Sequence, residues 1–229
     1  MNIRVEMDDF LRRMETVLKR IHAQFDELDK VRERCFEISR KLVRQSGIAI
    51  KHIHRMELDE ARAMLSEAMK MAKELSETIS KHTDAASWGF VHDAQRELSE
   101  AVILFSIVSG EKLPEPHELN VCGAAYIHGL AEAMSEVRRL ILDGLNRGAE
   151  EDVKTLLRIV EEAYYLLLTF DHPDTITLGL RRKVDQLRLL LERTHSDVAI
   201  AFQCSAVISS LREHSKSLKS LNEASPAQE

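Results

Sequence analysis

The chain of 229 residues is poor in the residues that tight turns and disulfides require, with 8 Gly, 4 Pro and 3 Cys. A sandwich or barrel of many short strands needs Gly or Pro at most of its turns, so these counts disfavour such folds. An odd number of widely spaced cysteines offers neither a disulfide framework nor a paired metal knuckle. The N-terminus has no apolar segment of signal-peptide type, and no stretch approaches the ~18 uncharged residues of a membrane span. We therefore expect a cytoplasmic helical protein with no membrane partner.

Aromatic residues are also scarce, at 5% of the chain, and the formal net charge is -6. So few aromatic side chains exclude a broad platform on which bases could stack, although Trp88, Phe90 or Tyr126 could still stack on one base. The negative net charge argues against indiscriminate binding to polyanions. It does not exclude a basic patch on one face of the protein.

The 44% of residues that are hydrophobic recur at helical spacing. Between Met7 and Leu42 they alternate threes and fours, which is the rhythm of a helix seam. No proline precedes Pro114, so the first half is predicted to form a few long helices with breaks near Gly47 and around 82–87. In the second break Thr83 or Asp84 would cap the next helix. A helix of ~40 residues would be about 60 Å long, so part of it is expected to pack against another subunit.

Further helices are predicted over 88–109, 121–145, 150–170 and 175–211, the last of them either continuous or broken. Gly110 and two prolines, Pro114 and Pro116, end the first of these and require a loop. The sequence therefore predicts an all-α fold, a single-domain bundle of about six or seven helices over 1–211. A polar, flexible tail is expected over 212–229.

Acidic residues on two of these helices form the most informative pattern. Glu97 and Glu100 are three residues apart, and Glu132 and Glu136 are four apart, so each pair lies on one helix face. Apolar and small neighbours suggest that both faces are partly buried. His128 continues the second stripe by one turn and is interpreted as a core histidine. If the two faces oppose each other, the repulsion between carboxylates is relieved by protonation or by a divalent cation.

Oxygen ligands favour Mg²⁺ or Mn²⁺, and such a site supports metal-assisted attack of water on a phosphodiester or pyrophosphate. The alternative is that a chain with 31% charged residues produces these spacings by chance on a solvated face. From spacing alone this alternative is favoured. Basic side chains recur in the first third of the chain, directly after the acidic stripe and in the segment GLRRKVDQLR, and they are candidates for holding a phosphate backbone. These candidate nucleic-acid contacts are Arg40, Arg44, Arg55, Arg138, Arg139, Arg181, Arg182 and Lys183.

The motifs ELSEA, YIHGLAEAMSEVRRL and LGLRRKVDQLRLLLERTHSDV resemble those of the translin family over about 25–202, and ELSEA matches the branch of translin-associated factor X. The resemblance implies an all-helical, hollow octamer that binds single-stranded RNA or DNA, and in that branch a Mg²⁺-dependent endoribonuclease. Carried over residue by residue, it makes Glu97, Glu100, Glu132 and Glu136 the catalytic carboxylates and metal ligands. Glu136 or Glu132 would orient or deprotonate the water. Glu132 stands where the family has Asp.

The leading hypothesis is therefore a homo-oligomeric, Mg²⁺-dependent endoribonuclease acting on single-stranded RNA. The first alternative is a translin-like oligomer that binds single-stranded RNA or DNA without cutting it, which Glu132 in place of Asp favours. The second is an all-α nucleoside triphosphate pyrophosphatase, since such enzymes also hold Mg²⁺ with acidic pairs on two helices. Their second pair is usually spaced by three residues, whereas Glu132 and Glu136 are spaced by four.

Overall fold

The computed structural model describes residues 7–82 and 88–224, with side chains as far as 217, and within these ranges every regular element is a helix. The helices are α1 (Met7–His54), α2 (Leu58–Ser80), α3 (Gly89–Ser109), α4 (Gly123–Arg147), α5 (Glu150–Leu168), α6 (Asp174–Thr177) and α7 (Leu180–Ala224). The predicted all-α fold is confirmed. The predicted caps Thr83 and Asp84 lie outside the described residues.

The chain forms two compact units, Met1–Gly129 and Leu130–Glu229, and α4 contributes to both. In the first unit α1, α2 and α3 pack against one another. Helix α3 is the most buried of them, because its residues 101–106 are buried on every side. A helix that is apolar all round belongs in a core. The carboxylates that precede this run are therefore carried by an element whose position the core fixes.

The predicted break near Gly47 is wrong, because α1 continues without interruption to His54. Ser46 and Ala49 on either side of Gly47 are buried, and they extend the seam of Leu42 towards Ile53. A glycine inside a helix costs about 1 kcal/mol relative to alanine. Packing along this seam outweighs that cost, and the helix ends only where Met56 adopts a φ of 60°.

Helix α3 ends at Gly110, as predicted, and the glycine has the left-handed φ of 72° that a C-terminal cap needs. The proline-containing segment that follows is held to the start of α4 by Tyr126, whose hydroxyl donates to the carbonyl of Pro114 at 2.7 Å. Burial, and then the charges of Glu118 and Glu115, raise the pKa of the Tyr126 hydroxyl. The hydroxyl therefore remains a hydrogen-bond donor.

In the second unit α5 and α6 pack against α7. A Cβ on Gly144 of α4 would lie 2.8 Å from Cγ2 of Val153 in α5, so these two helices meet at a residue without a side chain. The predicted final helix is broken near its start, between α6 and α7, and α7 is helical as far as Ala224. The single domain over 1–211 and the flexible tail remain predictions.

The first part of α1, residues 7–27, is exposed at every position, and we call it the N-terminal arm. It carries the apolar seam predicted from the sequence, yet none of its large apolar side chains is buried. Burial of α1 begins beyond it, at Cys35 and Ile38. Its packing against another subunit remains a prediction.

Within the described ranges, no helix combines the length and the apolar character that crossing a membrane requires.

Leu42 is fully buried in the seam of α1, and its truncation should show how far the first unit depends on that seam. We expect Leu42→Ala to lower the free energy of unfolding by about 2–5 kcal/mol, because it removes buried methyl groups and leaves a cavity. Leu113→Ala, at a residue that is 47% exposed, is the matched control and should change it by less than about 1 kcal/mol. Urea unfolding measures both, and equal losses would contradict this packing.

Candidate metal centre and nucleic-acid interface

Helix α3 holds Glu97 and Glu100 on one half-buried face, just before its fully buried segment. The guanidinium of Arg96 donates to the Glu97 carboxylate at 3.2 Å and lies 3.6 Å from Asp93. Only about a quarter of the Glu97 side chain is exposed. Both carboxylates are therefore oriented by a rigid helix and are poorly screened by water.

The start of α4 approaches α3 at the level of these acids, through Gly129. A Cβ on Gly129 would lie 2.5 Å from Cβ of Ser99, 2.7 Å from the carbonyl oxygen of Arg96 and 2.8 Å from the backbone nitrogen of Glu100. Two of these three atoms are backbone atoms, which cannot rotate away. Only glycine permits this distance between the helices, a role that local sequence patterns do not indicate.

Glu132 follows Gly129 by three residues on the unbroken helix α4, so it lies on the same helix face. Glu97, Glu100 and Glu132 each offer one carboxylate oxygen, and these oxygens lie within 4.8 Å of one another. All three residues are half-buried. Three of the four predicted ligands are therefore brought together, whereas Glu136, one turn further along α4, is outside this group.

The donor set fits a divalent cation. Three negative charges this close, with limited access to water, repel one another strongly unless a cation or protons neutralise them. Hard carboxylate oxygens suit Mg²⁺, Mn²⁺ and Ca²⁺ better than softer metals, whose sites use sulfur or imidazole. The group is therefore compatible with a divalent metal, and its chemistry does not distinguish between these three ions.

Besides Arg96, which donates to Glu97, a lysine contacts the acidic group. The Lys183 ammonium of α7 donates to Oε1 of Glu132, and both side chains are more than half buried. The sequence suggested Lys183 as a nucleic-acid contact, and the structure instead pairs it with a predicted metal ligand 51 residues away. Lys183 thus neutralises part of the charge that a metal ion would neutralise.

His128 is buried, in keeping with its interpretation as a core histidine. Its ring packs edge to face against that of His92 in α3, with ring centroids 5.5 Å apart. This contact adds to the packing between α3 and the first turns of α4.

Arg138 uses its guanidinium within the second unit. It donates to the hydroxyl of Thr194 at 2.9 Å and to the carboxylate of Asp197 at 2.8 Å, and so joins α4 to α7. Less than a quarter of its side chain is exposed. Arg138 is therefore a structural contact within the second unit, and its guanidinium donates to protein groups.

The other candidate phosphate contacts are all exposed: Arg40, Arg44, Arg55, Arg139, Arg181 and Arg182. Three of them belong to the first unit and three to the second. Arg40 and Arg44 lie one turn apart on α1, and Arg40 also lies over the ring of Phe36 at 5.9 Å from its centroid. Arg181 and Arg182 lie in the first turn of α7.

The aromatic residues that the sequence suggested for base stacking have packing partners. The rings of Trp88 and Phe90 stack with centroids 5.7 Å apart, and Phe36 packs edge to face on Phe90 at 5.4 Å. Tyr126 is held by its hydrogen bond to Pro114.

No protein-family model matches the chain. Over 194 residues it is 32% identical to the uncharacterized protein MJ0175 of Methanocaldococcus jannaschii, and the match covers 82% of each protein. Two structures of AfC3PO share the fold. The complex with duplex RNA is 30% identical with a TM-score of 0.71, and the crystal structure is 28% identical with a TM-score of 0.74. Each match covers 82% of this chain and 97% of AfC3PO.

The chain belongs to the translin family. The apo structure of NeC3PO, at 21% identity and a TM-score of 0.72, agrees in fold. The translin-like all-α fold expected from the motifs is therefore confirmed. The AfC3PO complex shows that a member of the family with this fold contacts RNA, and that this RNA is a duplex.

Gly129→Ala tests whether the approach of α4 to α3 sets the acidic group. The added methyl would overlap backbone atoms of Arg96 and Glu100, so we expect a loss of about 1–3 kcal/mol in the free energy of unfolding and a weakening of Mn²⁺ binding. Gly123→Ala, on the same helix, is the control, because its Cβ would meet nothing within 4 Å. Calorimetric titration with Mn²⁺ and urea unfolding provide the two readouts. Equal behaviour of the two variants would contradict the role of Gly129.

Lys183→Met tests whether the ammonium competes with a metal ion for Glu132. Removal of the positive charge leaves the carboxylates less neutralised, so we expect Mn²⁺ to bind roughly five-fold more tightly. Without metal the variant should melt at a lower temperature than the parent protein. Arg182→Met, which removes an exposed neighbouring charge, is the matched control. Weaker Mn²⁺ binding by Lys183→Met would mean that the lysine supports the metal site instead.

Proposed function

We propose that this translin-family protein is a Mg²⁺-dependent endoribonuclease that cleaves single-stranded RNA within a homo-oligomer. The observation that carries the proposal is the group of three carboxylate oxygens within 4.8 Å of one another, on the residues that match the catalytic motifs of the factor X branch. An ordinary solvated helix face would not hold three acids half-buried and this close. The same residues would bind Mn²⁺ in place of Mg²⁺.

Glu97, Glu100 and Glu132 would hold the metal, which would activate water and neutralise charge on the phosphodiester during attack. Glu136 lies one helical turn beyond Glu132 and is half-buried. In this proposal Glu136 orients the attacking water or accepts its proton, and Glu132 can do so if Glu136 does not. Arg96 keeps Glu97 in position from its own helix.

The exposed arginines of α1, α4 and α7 would hold the RNA backbone through their guanidinium groups. Arg40, Arg44, Arg55, Arg139, Arg181 and Arg182 are the candidates, with Arg138 and Lys183 available only if they leave their present partners. Binding through phosphates also accommodates single-stranded DNA. The duplex RNA bound to AfC3PO makes the single-stranded preference the part of the proposal that most needs measurement.

An octamer of this chain alone, enclosing the sites in a hollow interior, completes the proposal. It is supported by the resemblance to the family and by large apolar side chains that are exposed within each unit, such as Phe25 and Leu211. Enclosure would limit cleavage to strands that enter the interior. A cytoplasmic location is part of the proposal and is supported by three cysteines that are all free.

A binding protein that does not cleave RNA is the second candidate. Glu132 in place of the family's Asp lengthens one ligand, and its ion pair with Lys183 engages one of its two carboxylate oxygens. If these two features prevent productive metal binding, the exposed arginines would still bind nucleic acid.

Cleavage assays with the purified protein separate these possibilities. We expect cleavage of single-stranded RNA with Mg²⁺ and none with EDTA. Glu132→Gln should lower the rate at least about 100-fold, as when one charge-stabilising group is removed from a catalytic centre. Glu151→Gln, at an acid that is 87% exposed on α5, should keep the parent rate.

Duplex RNA, single-stranded DNA and nucleoside triphosphates are tested in parallel. Cleavage that persists in Glu132→Gln would come from a contaminating nuclease and would contradict the proposal. Binding of RNA without cleavage at any Mg²⁺ concentration would select the binding protein. Release of pyrophosphate from nucleotides would instead indicate a nucleoside triphosphate pyrophosphatase.

A further inference from the structure

The N-terminal arm presents a continuous apolar face that nothing in the described part of the chain covers. If Met7 is assigned to position a of a heptad, positions a, d and e are apolar over three successive heptads, with the exception of Gln24. The exposed side chains on this face are Met7, Phe10, Leu11, Met14, Val17, Leu18, Ile21 and Phe25. Three apolar positions in seven are typical of a helix that packs in a bundle, whereas a solvated helix has no such stripe.

The same heptad register continues into the folded part of α1. Cys35 and Leu42 occupy a positions, Ile38 occupies a d position, and all three are buried against the rest of the first unit. The same apolar seam is therefore buried in one part of the helix and exposed in another. Its second part is covered by α2 and α3, and its first part, about 32 Å long at 1.5 Å per residue, is uncovered.

We propose that the N-terminal arms of two copies of this chain pack against each other as an antiparallel helix pair. An apolar stripe that is regular over three heptads is self-complementary, because two identical stripes interlock about a two-fold axis. The inference does not rest on the proposed nuclease activity. It concerns a contact made by the arm alone, in addition to whatever contacts build the rest of the assembly.

The apolar pattern and the charges favour one register. In an antiparallel pair a positions face d positions, so Val17 would face Ile21 of the second copy and Phe10 would face Leu28 of the second copy. The polar Gln24 would face the flexible Met14. In this register Leu18 faces its own copy at the two-fold axis, and the e positions form a second apolar row.

The same register places Arg13 beside Glu27 of the second copy, and symmetry repeats this ion pair. One like-charge contact remains, between the two copies of Arg20 at the axis. A shift by one heptad in one direction would place Arg13 beside Arg20 at both ends and remove both ion pairs. A shift in the other direction would pair Arg20 with Glu27, but it would place Phe10 opposite Cys35, which is already buried in the first unit. A parallel pair would place Arg13 beside the apolar Leu18. The antiparallel register centred near Leu18 is therefore the one that forms two ion pairs and uses only positions of α1 that are not already buried.

Disulfide trapping in the full-length chain tests this geometry. Cys122 and Cys204, the two exposed cysteines, are first replaced by serine. The double variant Met14→Cys/Gln24→Cys should then form covalent dimers on mild oxidation, whereas each single variant should not. The two positions are about 15 Å apart within one helix, so a disulfide inside one chain is excluded. Lys19→Cys/Asp26→Cys, on the opposite helix face, is the control and should remain uncrosslinked.

Charge reversal provides a second readout. Arg13→Glu should reduce the trapped fraction roughly two- to five-fold, and Arg13→Glu/Glu27→Arg should restore it, because only the pairing of opposite charges is recovered. Trapping by Met14→Cys alone would indicate a parallel pair and would overturn the proposal. Absence of trapping in the double variant, or an arm that crosslinks to the exposed end of α7 around Val207 instead, would also overturn it.

Discussion

Repulsion between three carboxylates that the core holds close together is the constraint on which the candidate site depends. Glu97 and Glu100 cannot separate, because the buried segment that follows them fixes α3 in the first unit. Glu132 is carried by a helix whose start approaches α3 so closely at Gly129 that no side chain fits. The packing therefore imposes an electrostatic cost on the folded protein, and a cation bound at these oxygens would relieve that cost. A metal ion bound at these oxygens would therefore be linked to folding through one glycine.

The ion pair with Lys183 lowers the repulsion among the three carboxylates, so the folded protein can hold them close together without a metal ion. The lysine ammonium neutralises part of the charge on Glu132, but it is a single charge on a flexible side chain, whereas a divalent ion accepts several oxygens at once. In the proposed nuclease, a metal ion that displaces the lysine from Glu132 would release a cation that could contact a phosphodiester. The ion pair between Arg138 and Asp197 has a different role, since it joins two helices of the second unit and leaves the acidic group unchanged.

The helices and the acidic residues could be predicted from sequence because both depend on short-range patterns. The 3.6-residue period predicts α3, α4 and α5 to within a few residues of their observed bounds. Glu97, Glu100 and Glu132 are singled out by the family motifs, because their spacing alone does not distinguish them from acids on a solvated face. The predicted break near Gly47 is wrong because buried contacts on both sides of the glycine offset its unfavourable helix propensity. A prediction from local sequence does not include those contacts. The role of Gly129 and the partners of Lys183 and Arg138 could not be predicted, because they depend on residues about 30 to 60 positions away.

The most direct test of the central claim is a crystal structure of the protein grown with Mn²⁺, with anomalous diffraction recorded at the manganese absorption edge. The account predicts an anomalous peak within coordinating distance of carboxylate oxygens of Glu97, Glu100 and Glu132, with the Lys183 ammonium moved away from Glu132. A map without a peak at these oxygens, at Mn²⁺ concentrations that saturate calorimetric binding, would contradict it.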